Sequence, residues 1–199
     1  MHENREQRRN RKIEMIKEEI FKACVRVIRE HGHTGMTMEE VARQAGYSTG
    51  SLYNYFTSKD DLIKATWCWG IDQIVKLMEM PVPEGTSFPA KLQFVLDHFL
   101  RMVEENREMY LVFSGLPHHY FTREEFQVIS ERYQRITQDF FKQGVREGYI
   151  PEKKLEVYSL YLMTLADGLL LHWAMKQGDV PLQYFWDDLV DFFMRGVRE

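Results

Sequence analysis

Residues 46–50 of this 199-residue chain read Gly-Tyr-Ser-Thr-Gly. G-x-S-x-G is the spelling of a nucleophile elbow, in which a sharp strand-to-helix turn lifts a serine hydroxyl clear for acyl transfer. Such an elbow needs a buried strand running into the first glycine. Residues 39–45 (EEVARQA) are charged instead, with Val41, Ala42 and Ala45 at helical spacing. No alternation of strands and helices surrounds the stretch, and no glycine-rich oxyanion loop precedes it. Ser48 is therefore not expected to be a nucleophile, no catalytic residue is assigned, and the chain does not read as an enzyme. His31-x-His33 and His118-His119 bring imidazoles together, but neither pair has a Cys, Glu or Asp partner at ligand spacing. Cys24 and Cys68 have no short spacing and read as reduced packing residues, so neither a metal nor a cofactor is expected.

The same Gly46 also falls where two short helices would meet at a tight turn. A turn of that kind needs positive φ or a close approach, which a glycine supplies without strain. Ala42 is small enough for the helices to cross closely, and Val41, Ala45, Tyr47, Leu52 and Phe56 form a small core between them. Ser48 then serves as N-cap of the next helix. Thr49, Gly50, Ser51, Tyr53, Asn54 and Tyr55 are left facing outward. Hydroxyls, an amide and phenols of this kind suit base edges and phosphates, and the helix N-terminus adds backbone donors. Lys59, at the start of the following helix, suits a phosphate clamp. A merely solvated turn would have little use for two exposed tyrosines within three positions.

The elements that position this stretch are helices. Apolar residues recur at helical spacing over 12–31, with Gly32 as the stop. Thr37 to Glu40 spells a capping box for a helix ending at Ala45. A third helix runs from Ser48 to about Phe56, and Ser58 caps a fourth reaching about Met80. Further helices are expected over 89–105, 107–116, 122–147, 152–177 and 181–197. No segment keeps a period of two between turn signals, so the fold class is all-α. The domain division expected is a basic arm at 1–11, a helix-turn-helix domain at 12–70 and a second helical domain at 71–199.

Composition bounds the rest. A 44% hydrophobic chain is not disordered, and its net charge of −4 gives no global nucleic-acid signal. Residues 1–64 nonetheless carry 12 Lys/Arg against 10 Asp/Glu, while the remainder carries 14 against 20. Arg5, Arg8, Arg9, Arg11 and Lys12 could lie along phosphates or in a minor groove. No signal-peptide pattern or run of membrane-spanning length occurs, so a soluble, cytoplasmic protein with no membrane partner is expected.

The stretch TGMTMEEVARQAGYSTGSLYNYFTSKDDLIKA resembles the N-terminal domain of TetR-family transcriptional regulators. Thr37, Ala42, Ala45, Gly46, Ser48, Gly50, Ser51, Leu52, Tyr53, Phe56, Ser58, Lys59 and Leu62 stand at the matching places. The resemblance spans about residues 12–70. Asn54 and Tyr55 stand where the family often has Tyr and His. The resemblance implies that Thr37, Tyr53 and Lys59 anchor phosphates. It places Thr49, Gly50, Ser51, Asn54 and Tyr55 near bases, with Ser48 at the helix start beside them. It further implies a ligand-responsive regulator, expected as a repressor, that binds a palindromic double-stranded DNA operator as a homodimer. A small apolar or aromatic effector would release it. An activator of the same family, or a ligand- or partner-binding protein with a DNA-silent headpiece, are the alternatives.

Residues 152–177 are apolar on both sides of a helix, which marks an element buried from both sides. A four-helix subunit interface is expected from this helix and the last, through Leu162, Leu169, Trp173, Trp186, Leu189 and Phe193. An effector pocket is expected among the aromatic and Met residues of the middle helices. Trp67, Met102 and Phe113 are its expected lining, with His98 and Tyr161 as polar tips.

Overall fold

The computed structural model describes residues 5–105, 107, 120–175 and 182–196, apart from the side chains at 174, 175, 185–187 and 190. Among the described residues there are α-helices and one short 3-10 turn, and no strand. The helices are α1 (Arg5–Gly35), α2 (Met38–Ala45), α3 (Thr49–Tyr53), α4 (Lys59–Met78) and α5 (Phe88–Glu105), then α6 (Arg123–Arg146), α7 (Leu155–Met175) and α8 (Leu182–Gly196). The helix expected over 107–116, Phe113 included, lies outside the described residues except for Arg107. No described helix is long and apolar enough to cross a membrane. The chain divides into two compact units, one running to Gly70 and including Tyr120, the other taking up the chain from Ile71.

In the first unit, α1 starts earlier than the sequence pattern indicates. Residues 5–11 are its opening turns, not an extended arm. Arg, Gln, Glu and Lys are strong helix formers, and Glu6 lies in the first turn where the helix dipole favours an acid. Gly32 interrupts α1 with φ 70° and ψ 165°, a conformation that needs glycine, and residues 33–35 resume the helix. The inward face of α1 presents Ile20, Ala23, Cys24, Val27 and Ile28, all buried. Burial pushes the Cys24 thiol up to about 12. Phe21 packs its ring 5.7 Å from both Phe56 and Trp69.

The second unit is built around Phe88, Leu92, Leu96, Phe99, Phe140, Phe141, Leu162, Ala166, Leu170 and Trp173, which form one continuous apolar core. Phe141 meets Phe88 and Phe193 edge-on, with centroids 5.5 Å and 5.9 Å away. The start of α5 is held by the end of α6. The Phe88 N–H donates to Glu147 Oε2 at 2.7 Å, and Gln143 Nε2 donates to both the Thr86 carbonyl and Glu147 Oε1. The backbone bond from Phe88, together with Gln143, holds the Glu147 carboxyl below its ordinary value. Thr122 opens α6 with a complete capping box shared with Glu125.

Gly144 lets α6 approach this joint. A Cβ there would lie 2.9 Å from both Phe88 Cδ1 and Ile150 Cδ1. Both neighbours are fully buried, so they have little room to yield. Gly144→Ala should therefore destabilise the protein by about 1–3 kcal/mol, the usual cost of overpacking. Chemical denaturation of the variant against the parent measures it.

Candidate nucleic-acid interface and apolar cavity

The α2–turn–α3 segment is fixed by local hydrogen bonds. Thr37 Oγ1 accepts from the Glu40 N–H at 3.2 Å and so starts α2. The Glu40 side chain does not return to complete a capping box. It turns to Arg43 Nε at 2.8 Å and Gln44 Nε2 at 3.2 Å. At the other end Gly46 is left-handed, with φ 78° and ψ 24°. The Tyr47 N–H then reaches the Ala42 carbonyl at 2.9 Å and the Gly46 N–H reaches that of Arg43, a Schellman arrangement. The Tyr47 hydroxyl donates to the Glu19 carboxylate of α1, tying the turn to the long helix. Ser48 Oγ accepts from the Ser51 N–H at 3.1 Å and caps α3. Ser58 does the same for α4, accepting from the Asp61 N–H at 3.1 Å.

Beneath α3 lie Val41, Ala42, Leu52, Phe56, Leu62 and Ile63, all buried. Ala45 and Tyr47 are half-buried at the rim. Outward, Thr37, Ser48, Gly50, Tyr53 and Asn54 are exposed, Tyr53 by 51%. Thr49, Ser51, Tyr55 and Lys59 are half-buried. The expected nucleic-acid residues thus cluster at one end of the first unit, with α3 carrying most of them. Lys59 has a structural partner as well: its Nζ donates to the Thr34 carbonyl at 2.9 Å, closing the end of α1. Glu30, His31 and Glu40 bring ligand-type atoms within 4.8 Å of one another. Their carboxylates are already engaged by Gln44 and Arg43, so the group is a hydrogen-bonded brace between α1 and α2.

The second unit contains an apolar cavity of about 50 Å³. Ile74, Leu77 and Met78 from the last turns of α4 form part of its wall, with Leu96, Phe99, Phe140, Leu162 and Ala166 among the others. Thr137 and Tyr133 bring hydroxyl-bearing side chains to the wall, and the Thr137 hydroxyl is spent on the Tyr133 carbonyl at 3.0 Å.

Residues 20–66 match the profile of the tetR family of bacterial regulatory proteins. The N-terminal domain of the chain is thus of the tetR type. The match lies over the helix-turn-helix, and wider comparisons extend over most of the chain. It is 21% identical over 187 residues to the fatty acid metabolism regulator protein of Bacillus subtilis, covering 90% of this chain and 94% of that one. It is 28% identical over 174 residues to the transcriptional regulator BetI of Escherichia coli, covering 83% and 87%. In fold it is similar to the fatty acid degradation regulator FadR of Bacillus halodurans, with a TM-score of 0.80 over 91% of this chain and 99% of that one, at 20% identity. It is also similar to FadR of Bacillus subtilis solved in complex with stearoyl-CoA, with a TM-score of 0.79 over 90% and 98%, at 21% identity. These relatives are transcriptional regulators, not enzymes, which agrees with the amphipathic helix that stands where an elbow would need a strand.

The second unit departs from the sequence reading in detail. Trp67 is buried in the first unit, so it does not line the cavity. His98 folds back so that Nδ1 meets the Phe94 carbonyl of its own helix at 2.8 Å, and Met102 packs against the core without lining the cavity. Tyr161 is 54% exposed on the outer side of α7. The structure thus does not gather the expected pocket residues; aliphatic side chains of α4, α5 and α7 line the cavity instead, with Tyr133, Thr137, Phe140 and Phe141 from α6. The expected interface set is corrected in the same way. Leu162, Trp173 and Phe193 are buried in this chain's own core, and Leu169 and Leu189 pack against it, while the Trp186 side chain lies outside the described residues. The apolar residues left exposed are Val157, Leu160, Tyr161, Leu165 and Leu171 on α7, with Tyr184 and Phe192 on α8. A helix apolar on both sides gives no periodic signal for which side turns inward. An exposed apolar face at α7 was legible only as the opposite of the one chosen.

The Glu40 brace carries a pH signature. Hydrogen bonds from Arg43 and then Gln44 lower its carboxyl from 4.5 to about 2. A depressed carboxyl stabilises the fold above its unfolded value and loses that contribution as pH falls through the folded one. Thermal melts should therefore show the parent more stable than Glu40→Gln at pH 7. That gap should narrow between about pH 4.5 and pH 2, whereas a constant gap would mean the brace does not depend on charge.

Proposed function

We propose that this regulator is a homodimeric repressor that holds a palindromic operator through α3 and releases it when an apolar effector enters the second unit. The observation that supports the reading best concerns α4. Its Leu62 and Ile63 are buried in the unit that carries α3, and sixteen residues after Leu62 the same helix supplies Met78 to the cavity wall. Ligand pockets commonly measure roughly 300–1,000 Å³. At about 50 Å³ the cavity must widen to admit an effector. The effector then acts by its preference for the widened state, and α4 carries the displacement to the DNA-binding end. The almost wholly apolar lining, aliphatic and aromatic side chains together, suits an alkyl chain, in line with the long acyl chain in the stearoyl-CoA complex of the structural neighbour.

Thr37, Tyr53 and Lys59 would contact phosphates and fix register. Thr49, Gly50, Ser51, Asn54 and Tyr55 would read the groove. Because Lys59 already serves the Thr34 carbonyl, its contact would be shared between fold and DNA. The helical start of α1, with Arg5, Arg8, Arg9, Arg11 and Lys12, would add phosphate contacts as a rigid rod. A second copy would cover the outer face of α7. There Gly168 leaves open space where another helix can come close, and Thr164, Leu165, Asp188, Leu189 and Phe192 line a groove with it. Two headpieces would then address half-sites roughly 34–36 Å apart.

A genomic-fragment pull-down with the purified protein, followed by fluorescence anisotropy over a salt series, tests the reading. A short palindrome should be enriched, its log affinity falling with log salt by roughly 0.9 per phosphate neutralised. Tyr53→Ala should weaken that site at least tenfold, about 1.4 kcal/mol, with assembly unchanged by sedimentation. Undiminished binding in that variant removes α3 from the interface. Leu165→Asp, on the outer face of α7, should sediment as a monomer at concentrations where the parent is a dimer. A dimeric variant would show that the interface lies elsewhere.

A further inference from the structure

Among the described residues, the buried side-chain atoms without a hydrogen-bond partner are Asp72 Oδ1 and Arg107 Nε. The first is accounted for, because Arg132 Nη2 stands 3.0 Å from it as an ion pair. Arg107 has no such answer. It is half-buried, and among the described residues no carboxylate pairs with it, although Glu104 and Glu105 precede it in sequence. Its guanidinium lies over the Trp173 ring, 5.0 Å from the centroid. A long basic side chain that merely seals a core keeps its head in water. Arg107 instead sets its guanidinium carbon over an indole with Nε shut away from solvent, while the residue as a whole stays partly exposed.

The position matters. Trp173 belongs to the same apolar core as the cavity wall. Along α7 it lies seven residues beyond Ala166, two turns on the same side and roughly 10 Å at 1.5 Å per residue. The cation–π contact with the ring restrains the guanidinium, which limits the directions its donors can take. The Nε–Nη edge is the one that receives a carboxylate or phosphate side-on through two parallel hydrogen bonds.

We propose that Arg107 is the acceptor of an anionic head group, and that the effector is an alkyl-chain anion. Its chain fills the widened cavity and its carboxylate or phosphate closes on the Nε–Nη edge. This rests on the apolar-effector reading above and adds to it a charge requirement that no apolar wall can impose. A neutral chain of the same length leaves the buried Nε without a charged acceptor, so the site discriminates between head groups, not only between chains.

Calorimetric titration of the full chain with laurate, lauroyl-CoA and 1-dodecanol tests it. The parent should bind the anions at least tenfold more tightly than the alcohol. Arg107→Gln should erase that difference while leaving 1-dodecanol unchanged, and Arg107→Lys, which keeps the charge without the fork, should fall between. A selective loss for laurate identifies a carboxylate site, and a selective loss for lauroyl-CoA a phosphate site. If Arg107→Gln does not fold, the parent still decides: rising salt should weaken the anions and spare the alcohol. Equal affinity of the parent for 1-dodecanol and laurate, or equal loss of all three probes in a folded variant, overturns the role of Arg107 and leaves the apolar-effector reading standing. If no probe binds the parent at all, both fall.

Discussion

One left-handed residue sets the geometry of the DNA-binding end. At Gly46 the chain takes φ 78°, which lets the Tyr47 N–H turn back to the Ala42 carbonyl and ends α2 abruptly. A side chain at that φ would strain the backbone whatever the surrounding space. Once the turn is made, Ser48 falls at the cap of α3, Leu52 and Phe56 fall inward, and Tyr53 and Asn54 are left outward. An α3 of five residues has too few internal hydrogen bonds to stand alone. It exists because the turn, the serine cap and the apolar residues beneath it agree.

The second unit solves a different problem. Its core must be dense enough to fold and yet leave room to change. The aromatic cluster of Phe88, Phe140, Phe141 and Phe193 is rigid and is pinned by the Glu147 bond to the start of α5. The cavity borders that cluster, and Ile74, Leu77, Met78, Leu92 and Leu96 share its wall with Phe140 and Phe141. Aliphatic chains can exchange rotamers at small cost, whereas stacked rings resist. Firm packing and yielding packing are thus arranged side by side within one core.

How much of this could be read from the chain follows from where each signal resides. The helix-turn-helix was legible because its determinants are local: Thr37, Gly46 and Ser48 each act on backbone within a few residues. The all-α architecture followed from periodicity for the same reason. The charge pattern at 5–11 reads as an arm, whereas the helix propensity of the same Arg, Glu and Gln residues extends α1 through it. The pocket and interface residues were out of reach. Leu162 and Tyr161 are neighbours in sequence, equally compatible with an apolar helix, and only tertiary packing sends one inward and the other outward. Arg107 gave no sequence signal at all, since an arginine among Glu104, Glu105 and Glu108 reads as a solvated ion pair until its Nε is found buried.

Cys24 gives the first unit an internal clock. Its sulfur is fully buried in the unit that carries α3, and burial holds the thiol near 12, so in the closed state it presents neither access nor thiolate to a reagent. Alkylation at that position can proceed only through the fraction of molecules in which α1 has come away from its neighbours. The rate at which mass is added there therefore reports the opening equilibrium of the DNA-binding end in the unmodified protein.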